Sequence, residues 1–219
     1  MWLFKLIPIK FFSQQASRPS GLFGRYLMSA LFNKGNAGIN SLVKTALSLK
    51  NTDHVLEIGF GPGELIHAMA NIVTQGSIQG LDYSQTMCEQ ASRVNAQHIA
   101  NGKVELKQGE CASLPYDDNT FDKACAVNVI YFWADPSQCL NELHRVIKPG
   151  GQLAIGFRNT EQMQQLSLDQ NIFTSYSNHD VLDLLLQAGF IDGRIAEQTD
   201  KPLTSYCAIA SKGAPDEST

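Results

Sequence analysis

The chain has 219 residues, 43% of them hydrophobic and 17% charged, which suits one domain with a packed core and excludes a largely disordered chain. Its formal net charge of −4 and the lack of any Lys/Arg run argue against a broad basic surface for nucleic acid. The five cysteines (Cys88, Cys111, Cys125, Cys139, Cys207) are odd in number and form no C-x-x-C pair, so they read as reduced thiols of a cytoplasmic protein, with no zinc or other metal site in their spacing.

The first stretch, "MWLFKLIPIKFF", is apolar and aromatic. Lys5, Pro8 and Lys10 interrupt it and no A-x-A site follows, so it is a poor signal peptide. No stretch reaches the ~18 apolar residues of a spanning helix. This segment is expected to dock on its own domain or on a partner, with at most a weak membrane-surface contact. From Asn33 to Leu49, Ile39, Leu42, Val43, Ala46 and Leu47 recur at helical spacing. "HVLEIGF" then reads as a buried strand, "GELIHAMANIV" as a helix and "SIQGLDY" as a second strand. Ser84 can cap a helix running to about Ile99, and "KVELKQG" is a third strand.

"FDKACAVNVIYF" is a fourth strand, and Asp135, Pro136 and Gln138 look like the start of a helix that runs to about Ile147 and stops at "KPGG". "QLAIGFR" is a fifth strand, residues 159–177 have no clear period, and "NHDVLDLLLQAGF" is a helix ended by Gly189. "FIDGRIAEQT" and "LTSYCAIAS" read as a closing hairpin around Lys201-Pro202, and residues 213–219 as a frayed tail. Alternating strands and helices predict a doubly wound α/β fold, a mostly parallel sheet with helices on both faces, and the closing hairpin adds one antiparallel strand.

In such a sheet ligands lie beyond the carboxyl ends of the strands. "VLEIGFGPGELIHAMA" places Gly59, Gly61 and Gly63 there, after the first strand, where backbone can approach a ligand and helix N–H groups favour a negative group. The spacing is not G-x-G-x-x-G, because Gly63 comes one residue early, and no G-K-S/T follows for a Walker loop. Glu57 would repel a pyrophosphate and suits an ammonium. Asp82, in "GLDYS", can accept two hydrogen bonds from a ribose diol, or it can merely cap the helix after Ser84. An amino acid joined to a nucleoside would satisfy both acids.

With these residues in place the chain resembles the class I S-adenosylmethionine-dependent methyltransferases. "VLEIGFGPG" resembles their first motif, "LDYS" their ribose acid, "QGECASLPYDDNTFDKACAVNVIYFW" the stretch G-D-A-x-x-L-P-F-x-x-x-x-F-D, and "HRVIKPGG" the L-K-P-G-G turn, in order from about Val55 to Gly151. The L-P…F-D spacing is most similar to the branch that includes ubiquinone and menaquinone methyltransferases. The resemblance implies a Rossmann-like seven-stranded sheet, S-adenosyl-L-methionine as cofactor and a small-molecule acceptor methylated at O, N or C. It divides the chain into residues 1–50 as a segment and helix covering the site, 51–212 as the methyltransferase domain and 213–219 as tail.

Residue by residue, the resemblance puts Glu57 and Gly59 at the methionine end of the cofactor, with Phe60 also among the cofactor-binding residues. Gly61 and Gly63 shape the loop, Asp82 is at ribose, and Tyr83 and Met87 lie beside adenine unless they are plain core. Glu110 meets the adenine amino group and the Cys111 backbone a ring nitrogen. Asn128 lies beside the transferable methyl, and Val129 is also among the cofactor-binding residues. "GEC" departs from G-D-A through a longer acid and a bulkier neighbour. Tyr131, Phe132 and Trp133 follow the fourth strand as substrate wall or as packing, with Tyr131 also a candidate catalytic residue. His179, the one histidine at a helix start on the ligand edge, is the candidate general base, against an ordinary helix residue. A non-catalytic cofactor-binding module and a dinucleotide-dependent oxidoreductase are the alternatives. Glu57 and the glycine spacing disfavour the second. "NVIYFW" in place of an N-P-P-Y loop disfavours a nucleic-acid methylase.

Overall fold

The computed structural model describes residues 29–165, 172–200 and 203–214. The expectations for the first apolar segment, the Lys201-Pro202 turn and most of the tail lie outside the described residues. The elements are α1 (Ser29–Leu47), β1 (His54–Ile58), α2 (Glu64–Ala70), β2 (Ser77–Asp82), α3 (Gln85–Val94), α4 (Ala96–Ala100), β3 (Val104–Gln108), β4 (Phe121–Val127), a 3-10 turn (Ile130–Phe132), α5 (Pro136–Val146), β5 (Ile147–Phe157), α6 (Thr160–Gln165), α7 (Asn178–Gln187), β6 (Phe190–Asp200) and β7 (Leu203–Lys212). The strands form one seven-stranded sheet in the order β3-β2-β1-β4-β5-β7-β6. β7 runs antiparallel to both neighbours and the other pairs are parallel, as the alternation and the closing hairpin predict.

Each face of the sheet carries its own core. On one, Ile39, Val43 and Leu47 of α1 pack with Leu65, Ile66 and Met69 of α2 over Val55, Cys125 and Cys207. On the other, Leu140 and Leu143 of α5 and Val181 and Leu185 of α7 cover Leu56, Ala124, Leu153 and Ala208. Ile39, Val43 and Leu47 recur every four residues and are fully buried, so undocking α1 would cost about 1.5–3 kcal/mol for each. α1 is therefore part of the core. Asp135 Oδ1 accepts from the Gln138 N–H at 3.0 Å with Pro136 at the first helical position, so α5 begins as its sequence requires. A Ser177/Asp180 capping box starts α7.

Three boundaries differ from expectation. The helix after Ser84 breaks at Asn95, whose buried side chain leaves the helix to bond the glycine loop. α2 ends early, at Ala70. "KPGG" does not leave the sheet: Ile147 pairs with Phe121, and after a register shift Gln152 pairs with Lys123. Gly150, at φ 77°, lies in this irregular stretch.

Candidate active site

The carboxyl ends of β1, β2 and β4 meet where the strand order switches direction. Side chains alternate along β1, and Val55 joins the core under α1, so Glu57 points to that same face, in register with Cys125 of β4 and Gly80 of β2. Glu57 is 2% exposed and its Oε2 has no hydrogen-bond partner among the described residues. Burial first, and then the nearby Asp82 carboxylate, hold its carboxyl well above the usual glutamate range. An orphaned buried acceptor costs about 1–3 kcal/mol, which points to a ligand group that donates to it.

Beyond β1 the chain passes through Gly59, Gly61 and Gly63, at φ 68°, 53° and 87°. At Gly59 a Cβ would stand 2.3 Å from Val129 Cγ1, so only glycine fits. At Gly61 a Cβ would meet nothing within 4 Å, so open space borders the loop. The Gly61 N–H donates to Asp82 Oδ2 and the Ser84 N–H to Oδ1, each at 2.8 Å. Asp82 thus orients the loop and also steadies the start of α3. An ionised carboxylate has about four acceptor positions, so capacity for a diol remains. Burial raises the Asp82 pKa, and these two backbone bonds work against the rise.

Asn95, which the sequence reading passed over, holds the far end of the loop. It is fully buried, and its Nδ2 donates to the carbonyls of Gly63 and Ala91, each at 3.0 Å. The available signal was a polar residue inside an amphipathic helix pattern.

The remaining expected residues divide. Met87 is buried, and Tyr83, 41% exposed, stands at the end of β2. Glu110 is exposed just past β3. Cys111 is buried with Sγ 3.9 Å from the Cys139 carbonyl. Its contact with the Cys139 thiol, then burial, push its own thiol well up, so it packs and is no nucleophile. The Phe60 side chain belongs to the core beside Ile66, so only its backbone can border a ligand.

Asn128 ends β4 in the left-handed region, at φ 54°, with its N–H donating to the Gly156 carbonyl at 2.8 Å. The Tyr131 hydroxyl lies 3.2 Å from both Asn128 Oδ1 and the Arg158 carbonyl, and accepts from the Arg158 N–H. Burial pushes this phenol up. Tyr131 therefore ties the ends of β4 and β5 together through its hydroxyl. Phe132 and Phe173 lie 4.8 Å apart between ring centroids, and the Thr174 N–H donates to the Tyr131 carbonyl at 3.1 Å. His179 is 83% exposed and pairs along its own helix with Asp183 Oδ2 at 3.4 Å. It faces solvent, and among the described residues nothing encloses an acceptor beside it.

An orphaned acid, a second acid with spare acceptor capacity and open space beside Gly61 fit a ligand that carries both an ammonium and a ribose. Residues 56–155 match the family described as Methyltransferase domain. The Bacillus subtilis protein YdaC, described as an uncharacterized methyltransferase, is 30% identical over 189 residues, covering 86% of this chain and 97% of that protein. The chain belongs to the class I S-adenosylmethionine-dependent methyltransferases. This methyltransferase is also 34% identical over 111 residues to demethylmenaquinone methyltransferase of Lactobacillus johnsonii, covering 50% of this chain and 45% of that enzyme. Its fold is similar to that of an S-adenosylmethionine-dependent methyltransferase from Aquifex aeolicus (TM-score 0.69, 22% identity, 85% of this chain and 97% of that one). A Haloferax volcanii methyltransferase, solved with the Trm112 activator, is similar in fold as well (TM-score 0.76, 17% identity, 92% and 97%). S-adenosylmethionine is the cofactor of the methyltransferase. Among the described residues no group of three or more His, Cys, Asp or Glu could hold a metal ion, and no helix is long and apolar enough to cross a membrane.

Proposed function

We propose that this methyltransferase acts in the cytoplasm on a small-molecule acceptor, at an oxygen, nitrogen or carbon atom. The observation that carries the reading is the aromatic group past β4. Tyr131, Phe132 and Phe173 lie at mutual centroid distances of 4.8, 6.0 and 6.2 Å, with Trp133 half-buried, directly after Asn128 and Val129. Tyr131 and Phe173 are buried in the core, and the half-buried Phe132 and Trp133 at its edge would suit a flat, largely apolar acceptor. The name of the relative matched over half of this chain, demethylmenaquinone methyltransferase, supports a small acceptor. The net charge of −4 gives no support to nucleic acid.

When bound, S-adenosylmethionine supplies a methyl group on a positively charged sulfonium. Glu57 would accept from the ammonium and Asp82 from the ribose hydroxyls. Gly59, Gly61 and Gly63 would allow close backbone approach, and Asn128 and Val129 would border the methyl. Met87 and Tyr83 would flank adenine, with Glu110 and the Cys111 backbone at its edge. What the chain contributes is alignment and exclusion of water. The Tyr131 hydroxyl is already committed and His179 faces solvent, so the reading favours an acceptor that is already electron-rich over a dedicated base. Residues 172–177 would border the acceptor side, and Phe173 and Thr174 of this stretch rest on the turn after β4.

The test is to incubate the chain with S-adenosylmethionine and panels of phenols, quinols and amines, reading S-adenosylhomocysteine release and acceptor mass. Release with small acceptors supports the proposal. Release only with RNA or protein contradicts it. No release with any acceptor, despite cofactor binding, would favour a non-catalytic binding module.

A further inference from the structure

The end of β4 is joined to α1 by a polar contact across 92 residues of sequence: Asn128 Nδ2 donates to Asn36 Oδ1 at 2.9 Å. Asn36 lies three residues before Ile39 and seven before Val43, on the helix stripe whose later members are fully buried. Packing alone would favour an aliphatic side chain there. One neutral hydrogen bond contributes only about 0.5–1.5 kcal/mol net, so stability is a weak reason for an asparagine at this position.

The partner residue is under unusual constraint. Asn128 holds a left-handed backbone, uncommon outside glycine but within reach of asparagine. Its Oδ1 faces the Tyr131 hydroxyl and its Nδ2 faces Asn36, so the carboxamide is held from two sides. The next residue, Val129, stands so close to Gly59 that no Cβ fits between them. Contacts thus run from α1 through Asn128 and Val129 to the first glycine of the loop. The same face of the sheet receives Glu57, and the core on that face contains Ile39 and Val43.

We propose that Asn36 is a positioning residue for the cofactor site. By holding the Asn128 carboxamide it keeps Val129 against Gly59, and so sets the loop that receives the methionine end of S-adenosylmethionine. α1 acts on the cofactor through Asn128. The proposal rests on the assignment of the cofactor to that loop.

A double-mutant cycle on the full chain tests it, with S-adenosylhomocysteine affinity measured by calorimetry and Tm measured without ligand. The variants are Asn36→Ala, Asn128→Gly, which keeps the left-handed backbone without strain, and the pair. Asn36→Ala is expected to weaken binding about tenfold, the upper end for one neutral hydrogen bond. The double variant should bind within about twofold of Asn128→Gly, because both changes break one coupling. Asn36→Leu, which continues the apolar stripe, should keep or raise Tm and still lose affinity; a purely structural role would not separate the two. Wild-type affinity in Asn36→Leu, or losses that multiply in the double variant, would overturn the proposal. A wild-type chain that does not bind S-adenosylhomocysteine would instead remove the cofactor assignment beneath it.

Discussion

Glu57→Gln should stabilise the empty protein while crippling cofactor binding. The carboxylate is 2% exposed, its Oε2 lacks a donor, and Asp82 adds like charge. A buried unsatisfied group costs about 1–3 kcal/mol, and more when charged. The glutamine amide still needs partners, so a gain near about 1 kcal/mol is expected, or about 2–4 °C in Tm for a chain of this size. The sign with pH follows from a folded-state pKa raised above the unfolded one. The contribution of Glu57 to stability is intact below the ordinary glutamate value of about 4.3 and is lost as pH rises through the raised value. The Tm advantage of the variant should therefore vanish near about pH 4 and open toward neutrality, where Asp82, raised in the same direction, still leaves some slope in both proteins. Cofactor affinity should fall about 10–150-fold at neutral pH, from loss of a charge-assisted bond of about 1.5–3 kcal/mol. Scanning calorimetry across this pH range and titration with S-adenosylhomocysteine read both effects. A variant with lower Tm at neutral pH and unchanged affinity would show that Glu57 is a structural acid and refute the reasoning.

Gly61→Val should abolish S-adenosylhomocysteine binding and lower Tm, because a β-branched residue is strained at φ 53° even though its Cβ meets no neighbour, whereas Gly59→Val should lower Tm further by adding the clash with Val129 to the same kind of strain; thermal melts with and without ligand separate the two. Asp82→Ala should weaken the cofactor by about 1.5–3 kcal/mol in the same titration, since it loses the ribose acceptor and frees the Gly61 N–H. Full affinity in that variant would place the ribose elsewhere. His179→Ala should leave turnover within about twofold, as a solvent-facing side chain paired with Asp183 has no enclosed role; a tenfold fall in kcat would restore it as a base.

The alternating strands and helices, the presence of one antiparallel strand in the closing hairpin and the two acids could be read from the sequence because their signals are local. Apolar runs, Gly59-x-Gly61-x-Gly63 and an acid ending each of two strands all lie within short windows. Residues whose roles depend on distant neighbours could not be read in that way. Asn36 and Asn128 meet across 92 positions, and Asn95 reaches back to Gly63. Position along an element was legible, but orientation was not. His179 does start a helix, yet it points to solvent, and Phe60 sits in the loop with its side chain in the core. For Tyr131 the sequence left substrate wall, packing and a catalytic role open, because the Arg158 backbone that engages its hydroxyl arrives from the end of another strand.

The most direct test of the cofactor site is a crystal structure of the chain with S-adenosylhomocysteine. The predicted result has the ligand amino group within hydrogen-bond reach of Glu57, its ribose hydroxyls on Asp82 and its sulfur beside Asn128 and Val129. Ligand bound away from the glycine loop, or a loop that takes up NAD and leaves S-adenosylhomocysteine unbound, would contradict it.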